Sequence, residues 1–480
     1  VLNWRDLDHP QVGGAEVYCE QVGRRMSAMG ERVVLLTSRV AGRPRRETRA
    51  GIEIVRAGGQ FGVYPAALVW LFLRRHRVRA VVDSQNGIPF FSPLVVGRRT
   101  PVALLVHHVH QDQFGTYFNA PVAAVGRWLE RVGSRLVYGE RLVLAVSPST
   151  RQGARLRLGL RGQVFVVPPA QEAPPGPAAR TRPRHEQPRI VCVGRLVNHK
   201  RPSTIVEAVA QVLQAWPGLE LHFVGGGPEA PALAALTQRL NVQKSVTFHG
   251  PLAAEARDDL LRTAWLTVVA SQGEGWGLTV MEANALGVPV VARRVPGLRD
   301  SVLDGRTGWL VDEGDELAPA ISQALAHLSD PRRAQAMALE CQHWASHFNW
   351  DSTTERIAAL LAAERGRLAH SGDDRRAYSD LAMVAQVPLD ILPEDWAPRF
   401  RATDEVTIGP EGLLVLLYGT DLASAREALE RAGLSRKTAG HHRVQIRVAR
   451  PGDFVFPSPR PAAAAAISPH RSADDNHIAV

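Results

Sequence analysis

A chain of 480 residues with 45% apolar and 22% charged side chains is long enough for two or three domains with separate cores and has a globular composition. Cys19, Cys192 and Cys341 lie far apart with no CxxC pair, which excludes a disulfide framework or zinc ribbon and is in line with a reducing cytoplasm. The formal net charge of +10 comes mainly from arginine. Such a balance could favour nucleic acid, an anionic membrane or phosphorylated substrates, or it could reflect an arginine- and alanine-rich composition without a designed patch; there is no long basic run, and no nucleic-acid partner is expected.

Val1 to Trp4 reads as the tail of a first strand, and the leading valine suggests a start-codon choice or a truncation. The turn Gly13-Gly14 leads into a helix from Ala15 to about Met29, then a strand at Val33–Thr37. That order, strand, glycine turn, helix and strand, is the parallel doubly wound unit. Strands follow at Ile52–Val55, Ala80–Asp83, Val102–Val106, Leu142–Val146 and Val164–Val167. Helices are expected over Tyr64–Arg77 and Val122–Tyr138, with a helix start at Ser147-Pro148-Ser149. No signal-peptide pattern opens the chain. The longest apolar run, Tyr64 to Leu73, is too short to span a bilayer and ends at Arg74 and Arg75.

Pro168 to Pro188 is dense in proline and reads as a linker. The alternation then restarts. Strands are expected at Arg189–Val193, Glu220–Val224, Val246–Gly250 and Ala264–Ala270, and helices at Ser203–Trp216 and Pro231–Leu240. Glycine turns follow the first two of these strands, at Gly194 and at Gly225-Gly226-Gly227-Pro228. The expected fold class is therefore α/β, two doubly wound Rossmann-like domains facing across a cleft, with a C-terminal extension. The divisions are residues 1–170, a linker at 171–187, a second domain at 188–345, closing helices at 346–368, an extension at 369–456 and a disordered tail at 457–480. Within the extension, strands are expected at 406–408, 413–418 and 444–448 and a helix at 424–432.

Gly273 to Ala292 is the most informative stretch. Glycines interleave with Glu274 and Trp276, a helix begins near Leu278, and Glu282 lies on it. The glycines let backbone approach a ligand, and the helix start would aim free N–H groups at an anion. On one continuous helix Glu274 and Glu282 would be about 12 Å apart. That is too far to share a proton, so they are expected to hold different parts of one large ligand.

Gly13-Gly14-Ala15-Glu16, Gly194-Arg195-Leu196 with Lys200, Gly225-Gly226-Gly227-Pro228, Phe248-His249-Gly250 and the Glu274…Glu282 stretch occur in that order. Over roughly residues 1 to 365 the sequence resembles the retaining, nucleotide-sugar-dependent glycosyltransferases of family 4, many of them bacterial, which have the GT-B fold. The resemblance implies that Arg195 and Lys200 grip the donor diphosphate and that Gly14 faces it from the first domain. It also implies that Glu282 holds the ribose hydroxyls and Glu274 the donor sugar, with the backbone of Trp276, Gly277 and Leu278 at the sugar or phosphate. His107, after the fourth strand of the first domain, is expected to hydrogen-bond the donor sugar, with His108 and His110 as neighbouring candidates. The histidine cluster lacks the carboxylate or cysteine partners of a metal site, and the family needs no metal or other cofactor.

The implied activity is transfer of a hexose from a UDP- or GDP-sugar to a lipid, glycan or secondary-metabolite acceptor that the sequence does not identify. The other readings are a GT-B-fold sugar-nucleotide epimerase and a non-catalytic nucleotide-sugar-binding protein. Asn86–Leu94 and His108–Phe118 lie where acceptor would dock. Tyr64–Arg77, amphipathic and arginine-ended, could touch the inner face of a membrane or pack as an ordinary sheet-covering helix.

Overall fold

The uninterrupted apolar runs become the central strands of two parallel sheets, which a sheet covered by helices on both faces requires. The computed structural model describes residues 1–171, 184–370, 382–388, 391, 400, 404–409, 412–418, 420, 422–434 and 444–448. The first sheet contains β1 (Val34–Thr37), β2 (Arg46–Arg49), β3 (Ile52–Arg56), β4 (Val81–Gln85), β5 (Val102–Val106), β6 (Leu142–Ala145) and β7 (Val164–Val166). Its order is β2-β3-β1 on one side and β4-β5-β6-β7 on the other. Leu2 joins the two by parallel bridges to Leu36 and Asp83, so the opening residues occupy the middle of the sheet. The β5 run Val-Ala-Leu-Leu-Val is buried at every position.

The second sheet contains β8 (Arg189–Val193), β9 (Glu220–Val224), β10 (Val246–Phe248), β11 (Thr267–Val269), β12 (Val290–Arg293) and β13 (Gly308–Val311). Its order is β10-β9-β8, a bridge from Ile190 to Leu266, then β11-β12-β13. All pairings within it are parallel, the Rossmann order with its switch point between β8 and β11. Two edge strands escape the sequence pattern. β2 reads Arg-Glu-Thr-Arg, too polar to signal a strand, and pairs antiparallel with β3. β13 begins at Gly308, where a Cβ would stand 2.1 Å from the Val290 carbonyl oxygen.

The long helix expected over Val122–Tyr138 is present as Ala120–Trp128 and Ser134–Tyr138 with a π-helical turn, Leu129–Gly133, between them. Its start is capped by Asn119, whose side chain accepts the Val122 N–H. The helix Trp350–His370, which follows the second half, returns to the first. Asp351 pairs with Arg25 at 2.6 Å, the Thr353 hydroxyl donates to the Pro168 carbonyl at 2.9 Å, and Trp350 meets Tyr18 edge-on at 5.3 Å. Most of the proline-rich linker and the whole expected tail lie outside the described residues.

Residues from Leu381 onward form a separate unit. In it β14 (Ala382–Val387), β15 (Glu405–Gly409), β16 (Gly412–Tyr418) and β17 (Gln445–Val448) make an antiparallel sheet ordered β15-β16-β14-β17. Alternate residues such as Met383, Ala385, Leu413 and Val415 share a core with Ala425 and Leu429 of the helix Leu422–Arg431. The extension is thus an α+β unit, and β14 is a strand that sequence reasoning missed.

Candidate active site

The strands of the second half end in glycine turns because their backbones touch. Gly225 has φ +129°, and a Cβ there would stand 2.1 Å from the Gly194 carbonyl oxygen. A Cβ at Gly227 would be as close to the Leu196 carbonyl oxygen. The Leu196 N–H donates to Gly226 at 2.9 Å and the Gly225 N–H to Gly250 at 2.8 Å. This packing fixes the course of Arg195 to Lys200 beyond β8. Lys200 ends the 3₁₀ turn Asn198–Lys200, and its ammonium pairs with the Glu274 carboxylate at 3.3 Å. Arg195 leans across the cleft toward the first half: a Cβ on Gly13 would stand 4.0 Å from its Nη2.

Glu274 and Glu282 do not share a helix. Gly277 takes φ 98° and starts the helix Leu278–Ala285, leaving Glu274 on the preceding loop. Burial would raise the Glu274 carboxyl, but Lys200 and the Ser271 hydroxyl, 2.8 Å away, outweigh it and hold it below the usual range. Burial pushes the Glu282 carboxyl up, although Arg257 pairs with it at 3.3 Å and Lys200 also acts on it. One ammonium therefore acts on both glutamates. The Trp276 side chain turns into the interior, 2% exposed and edge-on to Phe348. Leu278 faces the first half, its Cδ1 2.9 Å from where a Cβ on Gly14 would be.

On the first half Gly13 precedes the helix Gly14–Ala28, and the Glu16 carboxylate reaches back to accept the Gly13 N–H at 2.6 Å. Arg5 holds that carboxylate from behind at 3.2 Å. The turn is thereby fixed against Arg195 and Leu278. Glu16 was in the motif but had no role in the sequence reading; its position three residues after Gly13 is the signal.

The three histidines beyond β5 face different ways. His107 turns back into its own half: its Nε2 lies 2.9 Å from the Ser84 hydroxyl and its ring meets Tyr18 edge-on at 5.4 Å. What it presents to the second half is its carbonyl oxygen, 2.1 Å from where a Cβ on Gly275 would be. The His108 ring is the one against the donor loop, its Cε1 3.4 Å from the corresponding point on Gly273. Burial, then His110, pushes both His107 and His108 down to about 3, so both rings are neutral near pH 7. His110 acts electrostatically on His199 beside Lys200, and its N–H donates to Glu130 at 2.7 Å.

Glu130 was not foreseen. It is fully buried, lies in the π-helical turn, and also accepts from Gln111 at 2.5 Å. A lone acid within an apolar and arginine-rich helix was its only sequence signal. Asp83, also fully buried, accepts the N–H groups of Phe90 and Ser92 and the Tyr138 hydroxyl. It thereby sets the Asn86–Leu94 loop expected at the acceptor.

Direct bonds join the halves around this cleft: the Ser149 N–H donates to Asp300 at 2.9 Å and the Thr150 hydroxyl to the Gly275 carbonyl at 3.3 Å. Gly14, Arg195, Lys200, Glu274 and Leu278 come together where the halves meet, whereas Glu282 pairs with Arg257 within the second half and Gly277 packs against Leu298 and Ser301. The Trp276 side chain and the His107 ring point elsewhere. Among the described residues no group of three or more His, Cys, Asp or Glu could hold a metal ion.

The model of Glycosyltransferase Family 4 matches residues 12–172, and that of Glycosyl transferases group 1 matches residues 178–338. The two abut within the proline-rich linker. A GDP-mannose-dependent alpha-(1-6)-phosphatidylinositol monomannoside mannosyltransferase of Mycolicibacterium smegmatis is 33% identical over 287 residues, 56% of this chain and 73% of that relative. A D-inositol 3-phosphate glycosyltransferase of Acidothermus cellulolyticus is 32% identical over 411 residues, 78% of this chain and 89% of that relative. Sucrose-phosphate synthase of Thermosynechococcus elongatus superposes with a TM-score of 0.62 at 21% identity, covering 76% of this chain and 98% of its own. HepE of Anabaena, solved with UDP and glucose, gives 0.57 at 19% identity, covering 75% and 99%. These structures share the GT-B fold.

Proposed function

The chain belongs to glycosyltransferase family 4, and on that premise we propose that it transfers a hexose, with retention, from a UDP- or GDP-sugar to a hydroxyl of a phosphorylated polyol or lipid. The observation that carries the reading is the Lys200–Glu274 pair at 3.3 Å, with Arg195 and the helix start at Leu278 beside it. These groups face Gly14 across a cleft that the two halves close. The acceptor class is suggested by the inositol-phosphate and phosphatidylinositol mannoside relatives, together with the arginine excess of the first half. The epimerase and non-catalytic readings have no comparable support, since the relatives are transferases.

The donor diphosphate would lie between the Gly13-Gly14 turn and the Leu278 helix start, where backbone N–H groups meet anionic oxygen. As the sugar–oxygen bond to the β-phosphate breaks, Lys200 and Arg195 neutralise the charge that develops on the leaving group. These two cations and the helix start supply charge stabilisation that a divalent ion would otherwise give, so no cofactor is invoked. The acceptor hydroxyl attacks from the face the phosphate leaves. Its oxygen bonds to the anomeric carbon, and its proton passes to the departing phosphate oxygen, giving glycoside and nucleoside diphosphate. Glu274, held ionised by Lys200 and Ser271, accepts hydrogen bonds from the sugar hydroxyls. Glu282 accepts them from the ribose. His107 fixes the end of β5, and the neutral His108 ring faces the donor sugar.

Nucleotide release from UDP-glucose, UDP-N-acetylglucosamine and GDP-mannose tests this, with the anomeric configuration of the product read by NMR. At least one donor is expected to turn over with retention, and Lys200→Ala to lower kcat by about 10²–10³-fold. Release unchanged by Lys200→Ala, or an inverted product, would overturn the reading.

A further inference from the structure

The helix Leu278–Ala285 buries Val280, Met281, Ala283 and Asn284, and Glu282 is its one charged residue. A carboxylate set among apolar neighbours needs a partner to offset its lost hydration. That partner comes from another element. Arg257 lies on the helix Ala254–Arg262 that follows β10, and its Nη1 is 3.3 Å from Glu282 Oε1. Both side chains are mostly enclosed, 22% and 18% exposed.

The guanidinium is itself aimed. Its Nε and Nη2 each lie 2.8 Å from Asp258 Oδ1, so Asp258 holds one edge of the planar fork and Nη1 is left for Glu282. A fork gripped in this way has a fixed direction that a free arginine lacks. The pair engages Oε1, and among the described residues no hydrogen bond reaches Oε2. The charged groups that act on Glu282 are Arg257 and Asp258 of the one helix and Lys200 of the 3₁₀ turn. Lys200 is bonded to Glu274. Burial favours the protonated carboxyl, Asp258 adds to that, and Arg257 opposes it more strongly than Lys200 does. The protonation state matters for a sugar diol. A carboxylate accepts O–H bonds from both vicinal hydroxyls, whereas a protonated carboxyl must use one oxygen as a donor.

We propose that Arg257, aimed by Asp258, is a positioning residue for nucleotide binding that keeps Glu282 an acceptor for the two ribose hydroxyls. Arg257 acts through Glu282. The inference rests on the reading of Glu282 as the ribose residue.

Calorimetric titration of the full chain with UDP and with GDP, between about pH 5.5 and 8.5, tests it. Dividing each variant's affinity by that of wild type at the same pH cancels the titration of the nucleotide's own phosphate. In Arg257→Gln the acid-side loss of affinity should begin about 1–3 pH units higher than in wild type. Affinity should then be about tenfold or more behind at the acid end and within about threefold at the alkaline end. Arg257→Lys, which keeps the charge, should restore most of the wild-type profile. Glu282→Gln should weaken binding at every pH and abolish the effect of Arg257→Gln. If Arg257→Gln does not fold, Asp258→Asn removes the opposing charge and should move the acid-side loss to lower pH.

A profile left in place by Arg257→Gln, or lowered equally at all pH values, while Glu282→Gln still weakens binding, would overturn this inference and leave the ribose reading standing. A profile left in place by Asp258→Asn, where that variant carries the test, would do the same. Affinity unchanged by Glu282→Gln, or no binding of either nucleotide by wild type, would overturn the ribose reading and this inference with it.

Discussion

The second half of the catalytic unit builds its part of the site from backbone, whereas the first half builds its part from buried side chains. Gly194, Gly225, Gly227 and Gly277 stand where a Cβ would strain the chain or collide with a neighbouring residue, and the charged residues Arg195, Lys200 and Glu274 follow from the path those glycines fix. On the first half, the histidine loop is held by partners distant in sequence: His107 by Ser84 and Tyr18, and His110 by Glu130. A site made of backbone contacts tolerates few residue types and so leaves a motif. One made of long-range side-chain bonds leaves only scattered letters.

If this contrast is correct, perturbing the seam between the halves should separate catalysis from nucleotide binding. The largest effect is expected for Gly275→Ala, whose Cβ would meet the His107 carbonyl oxygen at 2.1 Å. Backbone on both sides cannot give way, so the halves must part. We expect kcat to fall by about 10²-fold, as misplacement by about 1 Å can cost. Nucleotide affinity, read by calorimetry, should fall much less, because only the Gly13-Gly14 turn would contribute from the first half. An equal loss of affinity would mean that the halves do not divide the work in this way.

The histidines sharpen the comparison inside the first half. His108→Ala should lower kcat about tenfold, the loss of roughly one hydrogen bond. His107→Gln, at a ring already bonded to Ser84, should act mainly on unfolding stability. The reverse pattern in paired kinetic and urea-unfolding measurements would restore His107 as the residue at the donor sugar. Glu130→Ala leaves the His110 N–H and the Gln111 amide without their acceptor and should cost about 1–3 kcal/mol of stability. Nucleotide affinity should not change, and a large change would contradict confinement of Glu130 to the first half.

The smallest expected effect is a pH dependence. Burial lowers His107 from 6.5 to about 3 in the folded state. The unfolded chain therefore binds the extra proton between those values, so this contribution to stability is complete above about pH 6.5 and is lost as pH falls toward about 3. Glu274, also lowered, adds a loss in the same direction at lower pH. Urea midpoints should fall from neutral pH to about pH 5, and less in His107→Gln. An unchanged pH slope in that variant would assign the effect elsewhere.

The expected parallel strands of both halves stand where the periodicity put them, because an uninterrupted apolar run has few other ways to be buried. β2, β13 and β14 were not read: an edge strand need bury only part of its surface, and its pattern is correspondingly weak. The expectation of one continuous helix from Val122 to Tyr138 also missed its π-helical turn. No local residue demands that turn, and only the site that receives Glu130 gives it a role.

The sequence by itself determined the α/β class, the order of the two halves and the glycine turns, since each follows from local burial period or from positions where only glycine fits, and its ordered motifs carried the resemblance to the family. Only the tertiary structure decided that Lys200 pairs with Glu274 and acts electrostatically on Glu282, that His108 and not His107 turns its ring to the donor loop, and that the Trp350–His370 helix returns to the first half. These facts depend on which surfaces meet in space, and a side chain's spacing along its own element does not record what approaches it from another.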